Sequence, residues 1–330
     1  MTVKVAVNGF GRTGRLALRA AFENDLDLDF VAVNRGDPKT LGHLLKYDSV
    51  HGKAPFSVDW DDENIVVDGK KIRVLYESDA EQLPWKELGV DLVLECSDIY
   101  KDREGASKHL KAGASKVLIS APAKKPDCTI VLGVNDKVYD KSKHSIVSNA
   151  SCTTNCLAPV AKVLNDSYGI VNGFMTTIHA YTNTQVVLDK SSKDLRRARA
   201  ANLSIIPTTS GVTKAISEVI PSLEGKLDGM ALRVPTPNVS IINFVANLEK
   251  RASVEELNDS FREASKSRMK GIMNVSDEPL VSIDYIHNPY SAVIDSLETR
   301  ALGKTANILA WYDNEWGYCC RLVELAEKML

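Results

Sequence analysis

The stretch VKVAVNGFGRTG, residues Val3–Gly14, decides the fold of the first part of the chain. Its first six residues form a short apolar run, and a GxGxxG segment follows at once at Gly9, Gly11 and Gly14. A helical pattern, Arg12–Glu23, begins inside that segment. In such a strand–turn–helix unit the glycines permit a tight turn and let the backbone approach a pyrophosphate, which the helix N-terminus attracts. The alternative is a plain glycine-rich turn.

Short apolar runs alternate with helical patterns through the first 150 residues. The runs are Phe30–Asn34, Asp91–Cys96, Lys116–Ser120 and Ser145–Asn149, with a helical pattern at Asp102–Ala112. Strands that alternate with helices indicate βαβ units and a mostly parallel sheet. We therefore expect a doubly wound α/β Rossmann domain over residues 1–150 that binds a dinucleotide.

Longer strand-like runs follow residue 150. They are Asn172–Tyr181, Leu227–Val234, Val239–Leu248 and Thr305–Tyr312, and helical patterns occur at Val212–Ile220, Val254–Lys266 and Glu315–Leu330. We expect an α+β catalytic domain with a mostly antiparallel sheet over residues 151–314. The long polar segment Thr182–Pro207 has no clear period, and a loop of that length is usually functional.

Composition restricts the class of protein. A length of 330 residues suits two domains, and a net charge of −2 creates no positive field for nucleic acid. The sequence has no apolar run of about 18 residues, which a membrane span requires, and its first residues do not resemble a secretion signal. We expect a cytoplasmic protein with reduced thiols, without nucleic-acid or membrane partners. The CxxxC segment Cys152–Cys156 lacks a second ligand pair, so we expect no metal site.

Cys152 is the candidate nucleophile. It follows Ser151, a plausible N-cap, at the start of a helical pattern. The helix dipole and free N–H groups there should favour the thiolate and could stabilise an oxyanion. The alternative is a structural thiol, which is our interpretation of Cys156 one turn further on.

His179 is the candidate base for that thiol. It ends a strand where the long polar segment begins. The alternative is a structural histidine. His43, His109 and His144 lie in helical or surface patterns without such a context, and we expect no catalytic role for them.

The end of the second predicted strand bears on the cofactor. Sites specific for NAD usually place a carboxylate there, bonded to the ribose 2′-hydroxyl. This chain has Asn34 followed by Arg35. Asn34 would not repel a 2′-phosphate, and the Arg35 guanidinium can bind one, so we expect NADP to be preferred over NAD. The alternative is dual specificity, in which Asn34 bonds the ribose of NAD and Arg35 is a solvated cation.

The chain resembles a known family along essentially its whole length. The resemblance is to the phosphorylating glyceraldehyde-3-phosphate dehydrogenases, especially those that use NADP. It rests on Asn8–Arg15, Leu44–Gly52, Ser148–Pro159, Thr177–Thr182, Arg233–Ser240 and Trp311–Tyr318. The segment ASCTTNCLAP within Ser148–Pro159 is highly specific to this family.

The resemblance implies a role for each matching residue. Cys152 would be the nucleophile and His179 its activating partner. Thr182 and Arg233 would hold the phosphate of the substrate. The residues implied for attacking inorganic phosphate are Ser151, Thr153, Arg197, Ser210 and Gly211. The residues implied for the dinucleotide, beside the three glycines, are Arg12, Thr13, Ser120, Asn183 and Asn314.

The resemblance also implies a reaction and an assembly. The reaction is the reversible oxidation and phosphorylation of D-glyceraldehyde 3-phosphate to 1,3-bisphosphoglycerate, a step of glycolysis and gluconeogenesis, through a thioester on Cys152 with hydride transfer to NAD(P). The family is homotetrameric, its segment corresponding to Tyr181–Ile206 reaches a neighbouring subunit's cofactor, and its last helix, residues 315–330 here, packs back on the first domain.

Three departures from the family pattern stand out. Ser191 occupies a position where NAD-specific members typically carry proline, which adds to the case for NADP. Asp98 stands where the family usually has glycine, and Cys319-Cys320 replaces a polar pair. Adjacent cysteines hardly ever bridge each other.

Rival functions remain open from the residues. Erythrose-4-phosphate dehydrogenase shares the scaffold. Aspartate-semialdehyde dehydrogenase shares the thioester chemistry but lacks the stretches TIHAYT and RVPTPN found here. A non-catalytic regulatory protein that binds a dinucleotide or RNA would have lost Cys152 or His179, and this chain keeps them.

Overall fold

The computed structural model describes residues 3–330, which divide into two units. The first unit comprises Met1–Ile130, Asp136–Ser151 and Cys319–Leu330. The second unit comprises Val131–Asn135 and Cys152–Tyr318. The chain therefore passes between the units more often than a single boundary near residue 150 implies.

The first unit is built on a nine-stranded sheet flanked by helices. The strands of this unit are β1 (Val3–Asn8), β2 (Leu28–Asn34), β3 (Tyr47–Asp48), β4 (Gly52–Lys53), β5 (Val58–Trp60), β6 (Asn64–Val67), β7 (Lys70–Leu75), β8 (Leu92–Glu95), β9 (Lys116–Ile119), β10 (Cys128–Thr129) and β11 (Ile146–Ser148). The helices are α1 (Arg12–Glu23), α2 (Pro38–Lys46), α3 (Trp85–Leu88) and α4 (Arg103–Lys111). Only β3 and β4 lie outside the large sheet among these strands, as a separate pair.

The strand order confirms the doubly wound fold. It runs β10-β11-β9-β8-β1-β2-β7-β6-β5, and every pair from β10 to β7 is parallel. The chain moves outward from β1 in one direction through β2 and in the other through β8. The order reverses between β1 and β8, and ligands of such sheets bind at the carboxyl ends of the strands beside this point. Val5, Ala6 and Val7 of β1 are fully buried, as expected for a central parallel strand.

The antiparallel edge of this sheet is absent from the sequence prediction. β5, β6 and β7 form an antiparallel meander over residues 58–75. Asp68 and Gly69, both with positive φ, make the two-residue turn between β6 and β7. Asp-Gly between alternating apolar residues is a strong hairpin signal, so this element could have been predicted.

The second unit contains an eight-stranded sheet that is mostly antiparallel, as expected. Its strands are β12 (Ile170–Ala180), β13 (Ile206–Thr209), β14 (Leu227–Val234), β15 (Ser240–Leu248), β16 (Met273–Ser276), β17 (Ala292–Asp295), β18 (Arg300–Leu302) and β19 (Thr305–Tyr312). The remaining helices are α5 (Cys152–Tyr168), α6 (Val212–Val219), α7 (Val254–Lys266) and α8 (Trp316–Lys328). The β12–β14 and β16–β17 pairs are parallel.

The two faces of this sheet differ in exposure. Residues such as Ile242 and Phe244 on β15 are fully buried on the face where α5 packs. On the other face Phe174 is 68% exposed, Met230 42% and Val245 37%. An apolar face of this kind is unusual on a solvated sheet.

The last helix begins in the second unit and ends in the first. From Cys319 onward its residues belong to the first unit, where the Cys319 thiol donates to the carbonyl of Thr13 across 3.6 Å. Tyr139 donates to the carbonyl of Met329 at 2.9 Å. Cys319 and Cys320 are buried and do not form a disulfide.

Candidate active site

The three glycines of the GxGxxG segment have different surroundings, and each fits a dinucleotide. A Cβ on Gly9, whose φ is +93°, would lie 2.5 Å from Ser97 Cα, so the turn packs directly on the loop after β8. A Cβ on Gly14 would lie 2.5 Å from the Gly9 carbonyl oxygen, so α1 also packs closely on the turn. A Cβ on Gly11 would meet no described atom within 4 Å. Gly11 therefore presents open backbone where a pyrophosphate can approach, at a helix start with no side-chain cap.

Arg12 and Thr13 lie in the first turn of α1. The Arg12 guanidinium forms two hydrogen bonds with Asp48, at 2.7 and 3.2 Å. Burial alone would raise the pKa of Asp48, but the N–H group of His51 and the Arg12 guanidinium lower it to about 2. Arg12 is thus held at the dinucleotide turn by a carboxylate that stays ionised.

The role expected for Asn34 needs correction. Its side chain is 1% exposed at the end of β2. Its Nδ2 donates to Asn8 Oδ1 at 2.8 Å and to the Glu77 carbonyl at 2.9 Å, and its Oδ1 accepts the Glu77 N–H at 2.9 Å. Because both amide hydrogens and the oxygen have protein partners, this side chain has no hydrogen-bond donor left for a ribose or a 2′-phosphate. Recognition of a 2′-phosphate is therefore expected from Arg35 and not from Asn34.

Arg35 lies at the end of β2 in an unusual backbone conformation. Its φ is +79°, and its Nη2 donates to the Ser78 carbonyl at 3.2 Å. Asp98, in the loop after β8, also has a positive φ of 65° and forms an ion pair with Lys101. The left-handed backbone explains why glycine suits the position of Asp98. Ser120, after β9, bonds to the Glu95 carbonyl at 3.0 Å through its hydroxyl.

The candidate nucleophile and base are in contact in the second unit. Cys152 begins α5, His179 lies near the end of β12, and Cys152 Sγ is 3.6 Å from His179 Nε2. His179 Nδ1 lies 2.7 Å from the Ala180 carbonyl oxygen, and Arg233 Nη1 lies 2.7 Å from the same nitrogen and 3.0 Å from the same carbonyl. A ring proton on Nδ1, donated to Ala180, leaves Nε2 as the acceptor that faces the sulfur. Arg233, which can only donate, then bonds to the Ala180 carbonyl and not to Nδ1.

The protonation of this pair differs from the sequence expectation for Cys152. Burial raises the pKa of the Cys152 thiol, although the Arg233 charge and hydrogen bonds from Thr153 oppose that shift. Burial and the Arg233 charge lower the pKa of His179 to about 3. The start of α5 therefore does not by itself produce a resting thiolate, because burial outweighs it. The arrangement is a thiol beside a neutral imidazole that can accept its proton.

Two buried hydroxyl groups that the sequence analysis missed hold this site. Tyr312 OH lies 3.1 Å from Thr153 Oγ1 and 2.8 Å from Thr177 Oγ1. Ser240 Oγ accepts the Ala180 N–H at 3.0 Å and donates to Asn314 Oδ1 at 2.7 Å. Ser240 ends one matched stretch and Tyr312 lies near the start of another, but only their pairing at neighbouring strand ends reveals these roles.

The structure brings the two candidate phosphate-binding arginines within electrostatic range. The positive charge of Arg197 lowers the pKa of Arg233, after burial as the main cause. Arg197 also lies near Asp194, with an Nε–Oδ2 distance of 3.6 Å. Two neighbouring guanidinium groups are a favourable site for a dianion, which relieves their repulsion.

The remaining candidate phosphate ligands cluster at the start of α6. Gly211 is the N-cap residue, and Ser210 Oγ accepts the Val212 N–H at 3.4 Å. Thr208, which the sequence analysis missed, has a buried Oγ1 without a partner among the described residues. A buried hydroxyl in that condition suits a ligand oxygen.

The long polar segment folds back on itself and presents several candidates to solvent. Lys190 N donates to the Ala198 carbonyl at 2.9 Å, and Asp189 pairs with Arg199. Asn183 and Ser191 are exposed, and Thr182 Oγ1 lies 2.9 Å from Thr184 Oγ1. The structure does not bring these three candidates into contact with Cys152 or His179.

Residues 3–330 contain neither a helix suited to a membrane nor a cluster of side chains suited to a metal ion. No helix in that range is long and apolar enough to cross a membrane. Among the same residues, no group of three or more His, Cys, Asp or Glu side chains is arranged to hold a metal ion.

Comparisons with known proteins all indicate one family, and the matches extend over nearly the whole chain. A family model described as the NAD binding domain of glyceraldehyde 3-phosphate dehydrogenase matches residues 3–103, and one described as its C-terminal domain matches residues 151–314. The chain is 56% identical over 328 residues to the glyceraldehyde-3-phosphate dehydrogenase of Geobacillus stearothermophilus, which covers 99% of this chain and 98% of that protein. It is 51% identical to glyceraldehyde-3-phosphate dehydrogenase 2 of Bacillus subtilis, covering 98% and 96%, and 50% identical to glyceraldehyde-3-phosphate dehydrogenase 2 of Nostoc, covering 98% of each. The chain belongs to the glyceraldehyde 3-phosphate dehydrogenase family.

Proposed function

We propose that this chain catalyses the reversible oxidation and phosphorylation of D-glyceraldehyde 3-phosphate to 1,3-bisphosphoglycerate. The observation that carries the proposal is the 3.6 Å contact between Cys152 Sγ and His179 Nε2, with Arg233 bonded to the same Ala180 carbonyl that orients the imidazole. A thiol nucleophile with a neutral base at its side is the arrangement that covalent catalysis on an aldehyde requires.

Cys152 and His179 act in sequence on the aldehyde. His179 Nε2 accepts the thiol proton as Cys152 Sγ forms a bond to the aldehyde carbon, and it then returns that proton to the aldehyde oxygen, which gives a thiohemiacetal and a neutral imidazole. The imidazole then accepts the hydroxyl proton as the carbon loses hydride, and the product is a thioester on Cys152. A bound NAD(P) supplies the hydride acceptor for this step. Inorganic phosphate attacks the thioester carbon, and Cys152 leaves as thiolate, releasing the acyl phosphate.

The phosphate groups are positioned by charge and by hydroxyl groups. Arg233 and Thr182 would hold the phosphate of the aldehyde. Arg197, Thr208 and the start of α6 with Ser210 and Gly211 would hold attacking phosphate, together with Ser151 and Thr153. Binding two dianions in fixed places contributes mainly by orientation, which converts an intermolecular attack into an effectively intramolecular one.

The activity has a direct test in steady-state kinetics. Oxidation of glyceraldehyde 3-phosphate should require both a nicotinamide dinucleotide and inorganic phosphate. Arg233→Ala and Arg197→Ala should raise Michaelis constants for aldehyde phosphate or phosphate, with the dinucleotide constant little changed. Preference for erythrose 4-phosphate, with little dependence on phosphate, would instead support the rival dehydrogenase on this scaffold.

NADP as the preferred dinucleotide, with NAD also used, is part of the proposal. Arg35, which follows β2, supports this preference. Its guanidinium donates to one neutral group, the Ser78 carbonyl, and can bond a 2′-phosphate. Ser191 adds a hydroxyl in the loop that would reach the site from a neighbouring subunit. A hydrogen bond to a charged group contributes about 1.5–3 kcal/mol, which exceeds the ~1.4 kcal/mol of a tenfold preference. Arg35→Ala should therefore lower kcat/KM for NADP about tenfold or more and leave NAD nearly unchanged; wild-type preference for NAD would contradict this.

We further propose a cytoplasmic homotetramer with a dinucleotide-binding domain over residues 1–150 and a catalytic domain over 151–314. The apolar sheet face formed by Phe174, Met230 and Val245 supports self-association. Phe174 lies opposite Val245 in the register of β12 and β15, so the exposed side chains form one patch rather than scattered residues.

A further inference from the structure

A buried set of hydrogen-bonded side chains lies under the carboxyl ends of three neighbouring strands in the first unit. Asn34, Asn8 and Glu95 end β2, β1 and β8, and Asn8 is in register with each of the others. His109 of α4 and Trp85 of α3 complete the set, which we call the strand-end network. Its five members are at most 2% exposed. The proposed reaction uses none of the buried side chains Trp85, His109 and Glu95 directly.

Chemistry fixes the direction of the bonds from Trp85 to Glu95. The indole N–H of Trp85 can only donate, and it lies 3.0 Å from His109 Nδ1. His109 Nδ1 is therefore an acceptor, and the ring proton resides on Nε2. That Nε2 donates to Glu95 Oε2 at 2.9 Å, and Asn8 Nδ2 donates to the same oxygen at 2.6 Å.

Glu95 connects the network to the glycine-rich turn. Its second carboxylate oxygen, Oε1, accepts the Ser97 N–H at 2.7 Å and the Ser97 hydroxyl at 2.5 Å. Ser97 is the residue on which Gly9 packs so closely that an added Cβ would lie 2.5 Å from its Cα. The orientation of Glu95 therefore sets the contact between the turn after β1 and the loop after β8.

Asn8 and Asn34 connect the network to residues Glu77 and Ser78, which we call the Glu77–Ser78 rim of the dinucleotide site. Asn8 Oδ1 accepts from Asn34 Nδ2 at 2.8 Å, and the Asn34 amide pairs with the N–H and carbonyl of Glu77 at 2.9 Å each. The next carbonyl along, that of Ser78, accepts the Arg35 guanidinium at 3.2 Å. The position of Arg35 thus depends on the residue that follows Glu77, whose backbone Asn34 holds.

A second connection reaches the Glu77–Ser78 rim from His109. The Tyr100 ring meets the His109 ring edge-on, with centroids 5.7 Å apart. Tyr100 OH donates to the Ser78 carbonyl at 2.8 Å. Two routes therefore lead from the buried imidazole to the Glu77–Ser78 rim, one by hydrogen bonds and one by ring packing.

We propose that His109 is a positioning residue of the dinucleotide site, which acts through Glu95, Asn8 and Asn34 to hold the glycine turn and the Glu77–Ser78 rim in their binding geometry. Its loss would leave the Trp85 N–H and one bond of the Glu95 carboxylate unsatisfied in the interior. The strand ends would then relax, and binding of the dinucleotide would weaken while the chemistry at Cys152 and His179 would not. The inference rests on the proposed function only for the identity of the ligand.

The test compares two substitutions at one position. His109→Leu removes both hydrogen bonds, whereas His109→Gln keeps an acceptor for Trp85 and a donor for Glu95. Trp85→Phe is a milder variant that removes one bond from the far end of the network. His43→Leu on α2 is the matched control, because His43 is an exposed helical histidine of the same unit. Dissociation constants for NAD and NADP are measured by titration of the full-length protein, together with KM and kcat.

His109→Leu should raise the dissociation constant and KM for both dinucleotides about ten- to hundredfold, the change for a lost hydrogen bond to a charged group. kcat at saturating dinucleotide should stay within about threefold, His109→Gln should recover most of the affinity, and Trp85→Phe should weaken binding less than His109→Leu. Unchanged affinity in His109→Leu and Trp85→Phe would overturn the proposal, as would a fall in kcat with unchanged KM. If His109→Leu does not fold, His109→Gln and Trp85→Phe decide.

Asn34→Asp separates this inference from the proposed cofactor preference. A carboxylate cannot donate to Asn8 or to the Glu77 carbonyl, so this variant should weaken NAD and NADP by a similar factor. A selective loss of NADP in Asn34→Asp would overturn the positioning role of the network. A wild-type preference for NAD would contradict the proposed NADP use and leave the positioning role intact.

Discussion

At the residue scale, one guanidinium acts on both members of the Cys152–His179 pair. The Arg233 charge opposes the effect of burial on the thiol and adds to the effect of burial on the imidazole. The imidazole, with a pKa of about 3, is neutral at physiological pH and can accept a proton. Cys128 also has a positive charge that lowers its pKa, that of Lys116, and a histidine at hydrogen-bond distance, but burial and the Asp127 charge raise its pKa to about 11. The causes that act on Cys152 include the Arg233 charge and no carboxylate.

His179→Asn tests the role of His179 as the base that accepts the Cys152 proton. Turnover should fall on the order of 10²–10⁴-fold, the usual contribution of general acid–base catalysis. Alkylation of Cys152 by iodoacetamide, first among the thiols of the wild type by peptide mapping, should slow in the variant. The wild type should also lose stability more steeply than the variant as pH falls below 6.5 towards 3, because the unfolded chain takes up a proton that folded His179 does not. Unchanged turnover and unchanged alkylation would make His179 a structural residue, and parallel stability curves would contradict the lowered pKa of the folded state.

At the element scale, two glycines at the junction of β1 and α1 have different roles, Gly14 in stability and Gly11 in dinucleotide binding. Gly14→Ala places a Cβ against the Gly9 carbonyl and should lower the unfolding free energy by about 1–3 kcal/mol, as overpacking does. Gly11→Ala has open space and should leave stability nearly unchanged, but its methyl group would occupy the approach of the pyrophosphate. The dissociation constant for NAD(P) should therefore rise in Gly11→Ala without a change in the urea midpoint. Wild-type affinity for the dinucleotide in Gly11→Ala would contradict the proposed approach of the pyrophosphate to Gly11.

The same junction shows what a sequence can and cannot reveal about elements. β1, α1 and α7 match their predicted bounds because apolar periodicity and glycine spacing are local properties. The positions of Cys152 and His179 were predictable as motifs, but their contact across the second unit depends on strand register. His109 lies on a helix, as its pattern predicts, but its burial could not be predicted, because the contacts that bury it come from Trp85 and Glu95, which are distant in sequence.

At the scale of the whole molecule, the exposed sheet face of the second unit bears on assembly. Phe174→Asp places a charge in the apolar patch and should shift the protein from the proposed tetramer towards smaller species in sedimentation or light-scattering measurements. Leu302→Asp, at an 84% exposed position on β18, is the control and should leave the assembly unchanged. An unaltered tetramer in Phe174→Asp would show that this face is not the interface.

The measurement that tests the central claim most directly is a single-turnover reaction without phosphate. Mixing the protein with glyceraldehyde 3-phosphate and NADP should give a burst of reduced dinucleotide that approaches one equivalent per chain. Mass spectrometry should find the 3-phosphoglyceroyl group on the peptide that contains Cys152, and added phosphate should remove it and restore turnover. Cys152→Ser, which keeps dinucleotide binding, should give neither burst nor adduct. Continuous turnover without phosphate, or an acyl group on any residue other than Cys152, would contradict the account.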